Sequence, residues 1–229
     1  MPVDVEPSDA AAVSRAPLSR ARVAAAALDR IDKEGLNALS MRKLGADLGV
    51  EAMSLYNHVR NKHDLLLAVG ELLHEQILSY YQPAPDASWQ DKARAMAFAW
   101  WQVGTEHPNA FPIIADHPCE GPAGMRVLAS CVSLFTDAGF TLEAATEAFQ
   151  SAAAWLVGAV VQENGLIDAL RAGHGFTPAD VPPELGMLVE FKEICLDIPS
   201  ELRFRRGLEL MIAGIEARLA PGASGASGT

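Results

Sequence analysis

Cysteine is scarce and unpaired by spacing: Cys119, Cys131 and Cys195 are odd in number and form no Cys-x-x-Cys motif. That excludes a disulfide framework and a cysteine-rich zinc finger, and it fits a reducing compartment. Long hydrophobic runs are also missing. The longest, Ala152 to Val161, falls short of the roughly 20 apolar residues that a membrane-spanning helix needs, and an N-terminus carrying Asp4, Glu6 and Asp9 offers no basic leader. The expectation is a cytoplasmic protein without a membrane partner. No glycine-rich phosphate loop or nucleophile elbow is present, which removes the commonest nucleotide-binding and hydrolase signatures.

Positive charge is scarce overall, with a net of −11 across 229 residues. Taken whole, that argues against a nucleic-acid partner, because phosphate neutralisation by Lys and Arg dominates DNA affinity. The distribution reverses the argument. Residues 15–63 hold nine Lys/Arg against five Asp/Glu, whereas residues 64–229 hold nine against twenty-one. A basic segment on an acidic body suits a chain that docks one end on DNA and keeps the other away from it.

Apolar residues recur at helical spacing and strand-like alternation is absent, so the chain is expected to be all-α. Residues 1–17, with three prolines, and 220–229, rich in Gly, Ala and Ser, read as a disordered arm and tail. Residues 18–80 read as a DNA-binding head of three helices plus a connecting helix, and 81–219 as a larger helical domain. In the head, Ser19 and Ser40 are placed to cap helices, and Gly35 and Gly49 to end them in the left-handed conformation. A short third helix is expected over Glu51 to His58, and Asn61-x-x-Asp64 has the form of a capping box opening a fourth that runs to about Ser79. Beyond it the pattern predicts helices near 88–106, 109–115, 121–138, 141–164, 185–195 and 200–219, with a long glycine- and proline-rich loop from Gly165 to Pro183.

Met41 to Leu48, a turn at Gly49-Val50 and the helix after it have the form of a helix-turn-helix, whose second helix enters the major groove. Leu44, Leu48, Val50, Leu55 and Val59 are spaced to make its small core. Arg42 and Lys62 are placed to meet phosphates, Ser54 and Asn57 can hydrogen-bond base edges, and Ala52 and Met53 can touch a thymine methyl. His58 lies on or beside the same face. The stretch LSMRKLGADLGVEAMSLYNHVRNKHDLL, Leu39 to Leu66, resembles the DNA-binding signature of the tetracycline-repressor (TetR) family. The resemblance implies a dimeric repressor that binds double-stranded operator DNA, with Tyr56 packing against the DNA backbone. One departure stands out: Gly45 occupies a position where the family usually has alanine. Glycine costs about 1 kcal/mol in a helix interior, so this helix is looser there or a neighbouring backbone approaches closely.

A weaker resemblance extends over Ala95 to Gly165, carried by His107-Pro108, His117-Pro118, Gly139-Phe140-Thr141 and Gln162-Glu163. It implies a small-molecule pocket in the second domain. Among the aromatic and sulfur-bearing residues there, Trp101, His107, Phe111, Leu128, Trp155 and Gln162 fall on segments resembling the family's cavity wall. No Lys or Arg occurs from Ala95 to Met125, which points to a neutral or cationic lipophilic effector. The histidine with which the tetracycline repressor holds its magnesium–drug chelate corresponds to Ile113, so no metal or cofactor is expected. Homodimer contacts are expected from the alanine-rich segment 141–163, with Ala153, Ala154 and Gly158, and from Leu208, Met211, Ile212, Ile215 and Leu219 on 200–219; such a stripe also suits an intramolecular core, but a half-site reader usually needs two copies. Two other functions remain: an effector-independent DNA binder, and an enzyme using the cluster His117, Cys119 and Glu120.

Overall fold

A computed structural model describes residues 17–116 and 119–219. The arm, save Pro17, and the tail expected from sequence lie outside the described residues. Among these residues there is no strand, and the chain is all-α. The helices are α1 (Arg20–Glu34), α2 (Met41–Leu48), α3 (Ala52–Leu55), α4 (Lys62–Tyr80), α5 (Trp89–Glu106), α6 (Phe111–Asp116), α7 (Pro122–Thr136), α8 (Leu142–Gln162), α9 (Asp168–Arg171), α10 (Met187–Asp197) and α11 (Ser200–Leu219). They divide into two compact units. One comprises the chain to His74 together with Asn109–Gly124, and the other Glu75–Pro108 together with residues from Met125 onward. Helix α4 begins in the first and ends in the second.

Local chemistry sets the helix ends in the first unit. Ser19 Oγ accepts from Arg22 N–H and Ser40 Oγ from Lys43 N–H, each satisfying a donor that the first helical turn leaves open. Gly49 ends α2 in the left-handed conformation at φ 68, ψ 32, as the sequence predicts. Gly35 takes a positive φ of 81 with an extended ψ of 161 rather than a left-handed helical turn. Val23, Ala27, Ile31, Leu44, Leu55, Val59, Leu65 and Val69 are buried. Arg30 ties α1 to α2 through Asp47, at 2.5 and 2.6 Å.

The close approach anticipated at Gly45 is present. A Cβ there would stand 2.8 Å from the Val50 carbonyl oxygen and 3.1 Å from the Ala52 nitrogen, both backbone atoms that cannot swing aside. Gly45 also accepts from Val50 N–H at 2.9 Å, so α2 and the turn leading into α3 meet main chain to main chain. Gly45→Ala should therefore lower stability by about 1 kcal/mol, because overpacking outweighs the gain in helix propensity. A raised denaturation midpoint in that variant would contradict this reading of the turn.

In the second unit, Leu134, Phe135, Phe140, Ala145, Ala148 and Ile215 form a core flanked by Trp89 and Phe149. Trp89 meets Phe140 edge-on at 5.4 Å between ring centres, a geometry favoured by the ring quadrupoles. Thr141 caps α8 by accepting from Ala144 N–H. The segment expected as a loop from Gly165 is instead helical as far as Arg171, through a π-turn at Glu163–Ile167 and then α9. Burial works to raise the Glu163 carboxyl, but Ser200, Arg203 and Arg171 outweigh it and hold it below the ordinary range. Those bonds secure the turn.

Candidate nucleic-acid interface and ligand region

The reading element is shorter than its sequence suggests. Helix α3 spans only Ala52–Leu55, and Tyr56, Asn57 and His58 follow in tight turns whose N–H groups bond back three residues, to Met53, Ser54 and Leu55. The expected helix through His58 is corrected by these i→i−3 bonds, which close the chain more tightly than an α-helix. Leu55 and Val59 are buried, as expected for core, whereas Leu48 and Val50 are half-buried. Met53 is 72% exposed. Tyr56, Asn57, Arg42 and Lys62 are also exposed, and Ala52, Ser54 and His58 are half-buried. Arg60, which the sequence reading passed over, has a side chain 83% exposed, next to Lys62 at the start of α4.

The capping box at Asn61 is only half formed. Asn61 Oδ1 accepts from Asp64 N–H at 2.8 Å, but the Asp64 carboxylate accepts from the Arg60 N–H, not that of Asn61. It also receives both guanidinium nitrogens of Arg20 at 2.8 and 2.9 Å. Arg20 additionally donates to the His58 carbonyl at 3.3 Å. One buried carboxylate thus fastens the start of α1 to the start of α4, and its position relative to α3 follows. No sequence signal links Arg20 to Asp64, 44 positions away.

The six effector candidates fall in both compact units. Trp101 and Trp155 do come together, each stacked on Phe204 with ring centres 5.4 and 5.5 Å away. Phe204 lies one turn before Leu208, and extending that stripe backwards would have found it. His107 is the half-buried C-cap of α5. Leu128 and Gln162 are exposed, and Phe111 is buried in the first compact unit. Ile113 is a buried aliphatic side chain.

The stripe on α11 is also corrected. Leu208, Ile212 and Ile215 are 4–6% exposed within a single chain, so they belong to its own core. Helical periodicity reports that a face is covered and says nothing of which molecule covers it. The groove beside that stripe, about 460 Å³, is lined by Glu147, Ser151 and Trp155 of α8 and by Gly207, Leu210, Met211 and Gly214 of α11. Leu210 is 77% exposed there.

The rival enzymatic cluster does not acquire a nucleophile's environment. His117 lies outside the described residues and Glu120 is exposed. Cys119 Sγ is 3.8 Å from His74 Nε2, and burial followed by the Glu71 charge pushes its thiol up, away from the thiolate that attacks substrates.

A small helix-turn-helix unit followed by a larger helical unit defines a two-part DNA-binding regulator. The family described as "Bacterial regulatory proteins, tetR family" matches residues 23–69, and "Tetracyclin repressor-like, C-terminal domain" matches residues 82–219. The chain is 30% identical over 203 residues to the tetracycline repressor protein class E of Escherichia coli, covering 88% of this chain and 92% of that protein. The structure of ActR from Streptomyces coelicolor in complex with actinorhodin is 28% identical with a TM-score of 0.71, covering 91% of this chain and 100% of that one. A TetR variant from Acinetobacter baumannii in complex with minocycline shares the fold at 23% identity, with a TM-score of 0.73 over 93% of this chain and 100% of that one. The chain belongs to the TetR family and is a ligand-responsive transcriptional regulator.

Proposed function

We propose that the protein is a repressor that binds an imperfectly palindromic operator as a two-fold dimer and is released by a small lipophilic effector. The observation that carries the DNA-binding part is the split across α3 and its turn. Leu55 and Val59 face the core, while Met53, Tyr56 and Asn57 stand exposed with Arg42 and Lys62 as flanking cations. Met53 and Asn57 read base edges, with Ala52, Ser54 and His58 beside them. Tyr56 packs against the DNA backbone, and Lys62, Arg42 and Arg60 meet phosphates.

Two copies are supported by the exposed α8–α11 groove and by the length and apolar character of the run Leu142–Arg171. That run could cross a membrane by those measures alone, but membership of a DNA-binding family favours a second copy as its cover. Small residues at Gly158 and Gly214, where a Cβ would meet nothing within 4 Å in the chain itself, allow close helix approach. The aromatic group Trp101, Phe204 and Trp155 supports a flat, neutral or cationic effector held by stacking. The relatives solved with actinorhodin and minocycline support an effector of this polycyclic kind. Ligand can shift the equilibrium only by its differential affinity for the two states, about 1–3 kcal/mol in comparable systems.

The test is selection of DNA fragments by the purified protein, followed by binding titrations at several salt concentrations. Lys62→Ala should weaken binding to every sequence and reduce the log–log salt slope by about 1.8, about 0.9 for each of the dimer's two copies. Asn57→Ala should instead alter base preference, with a cost of about 1–3 kcal/mol at one operator position. Equal effects of both variants on all sequences would overturn the assignment of Asn57. Binding insensitive to salt would overturn the interface as a whole. Effector release is tested by a thermodynamic cycle, in which operator and ligand must weaken each other by the same factor.

A further inference from the structure

We propose a second ligand site, for an amphipathic organic anion, in a groove of about 410 Å³ formed by the end of α4, the start of α5 and the outer face of α7. Leu78, Tyr81, Ala129 and Leu134 give it apolar walls, Ser130 and Ser133 supply hydroxyls, and Lys92 and Arg126 supply charge. No Lys or Arg occurs between Ala95 and Met125. The fold brings the basic residues Lys92 and Arg126, from either side of that stretch, to one groove.

The charge of these two residues is uncommitted. Arg94, Arg171, Arg203 and Arg205 of the same compact unit each pair with a carboxylate. Among the described residues, Lys92 and Arg126 form no ion pair. Asp137 at the groove opposes them, leaving one net positive charge in a region, residues 64–229, whose balance is strongly acidic. A single anionic group on a flat apolar frame satisfies both features: the frame covers Leu78 and Leu134 while its carboxylate or sulfonate draws on the two cations and the serine hydroxyls. Helix α7 presents Arg126, Ala129, Ser130 and Ser133 at i, i+3, i+4 and i+7, with Asp137 in the turn just after it, so one helix face supplies most of the wall. The inference does not depend on the effector reading of Trp101 and Trp155.

The experiment titrates the full chain with 2-naphthoate and with its neutral counterpart 2-naphthamide, by calorimetry at low salt. Naphthoate should bind about tenfold more tightly than the amide, the scale of one charge-assisted contact. The preference should vanish in the double variant Lys92→Gln/Arg126→Gln, which loses no ion pair within the described fold. Asp137→Asn should strengthen naphthoate binding about threefold and leave the amide unchanged, and added salt should weaken naphthoate alone. A wild-type protein that does not distinguish acid from amide, or binds neither up to the probes' solubility limits, would overturn the site. A preference that survives in the double variant would do the same.

Discussion

Replacing Leu210 by Arg should convert a two-chain species into a single chain and abolish retention of operator DNA. Leu210 is 77% exposed on α11 and lines the groove with Trp155 and Gly214, so within one chain it has little packing to lose. Across a two-fold interface it counts twice. Burying a leucine is worth about 1.5–3 kcal/mol, so two copies together set the dimerisation constant by roughly a thousandfold. The guanidinium would add the cost of a charge taken out of water. Sedimentation of wild type and variant at micromolar concentration measures the first effect, and a shift assay on selected DNA measures the second. Helix content should be unchanged. A variant that remains dimeric would place the two-fold contact on another face.

The second large effect concerns Asp64. Hydrogen bonds from Arg20, then from the Arg60 backbone N–H, hold its carboxyl well below the ordinary carboxylate range, against the opposing effect of burial. The folded state therefore binds this proton more weakly than the unfolded chain does. The resulting stability is fully present above the unfolded value of about 3.9 and is lost as pH falls towards the lower folded value. Asp64→Asn should cost about 2 kcal/mol at neutral pH, since a buried acceptor of several charge-assisted bonds is replaced by a neutral amide. Denaturant titrations of both proteins should show this gap narrowing from about pH 4 downward. A gap independent of pH would mean that shape at this position matters and charge does not. Operator affinity should fall with stability, because the same carboxylate fixes the start of α4, where Lys62 and Arg60 sit.

The caps at Ser19 and Ser40 were legible because a cap is a contract among residues three apart. The bounds of α11, Ser200–Leu219, were legible for the same reason: its periodicity is local. The reading helix was overextended through His58 because Tyr56, Asn57 and His58 carry helix-compatible side chains, and only the bonds back to Met53, Ser54 and Leu55 show the tighter turn. Likeness to a cavity wall assigns the pocket candidates to segments and goes no further. It does not establish that Phe111 will be buried in a different compact unit from Trp101.

Sequence by itself determined the all-helical class and the position of the helix-turn-helix, since each rests on spacing within one or two turns. Tertiary structure decided which covered faces are covered by the chain itself, as at Leu208, Ile212 and Ile215. It also decided which distant charges meet, as Arg20 and Asp64 do, and which form no ion pair among the described residues, as with Lys92 and Arg126. The physical reason is the same in each case. Local hydrogen bonding depends on neighbours along the chain, whereas burial and ion pairing depend on packing between helices whose separation in sequence carries no signal of their proximity.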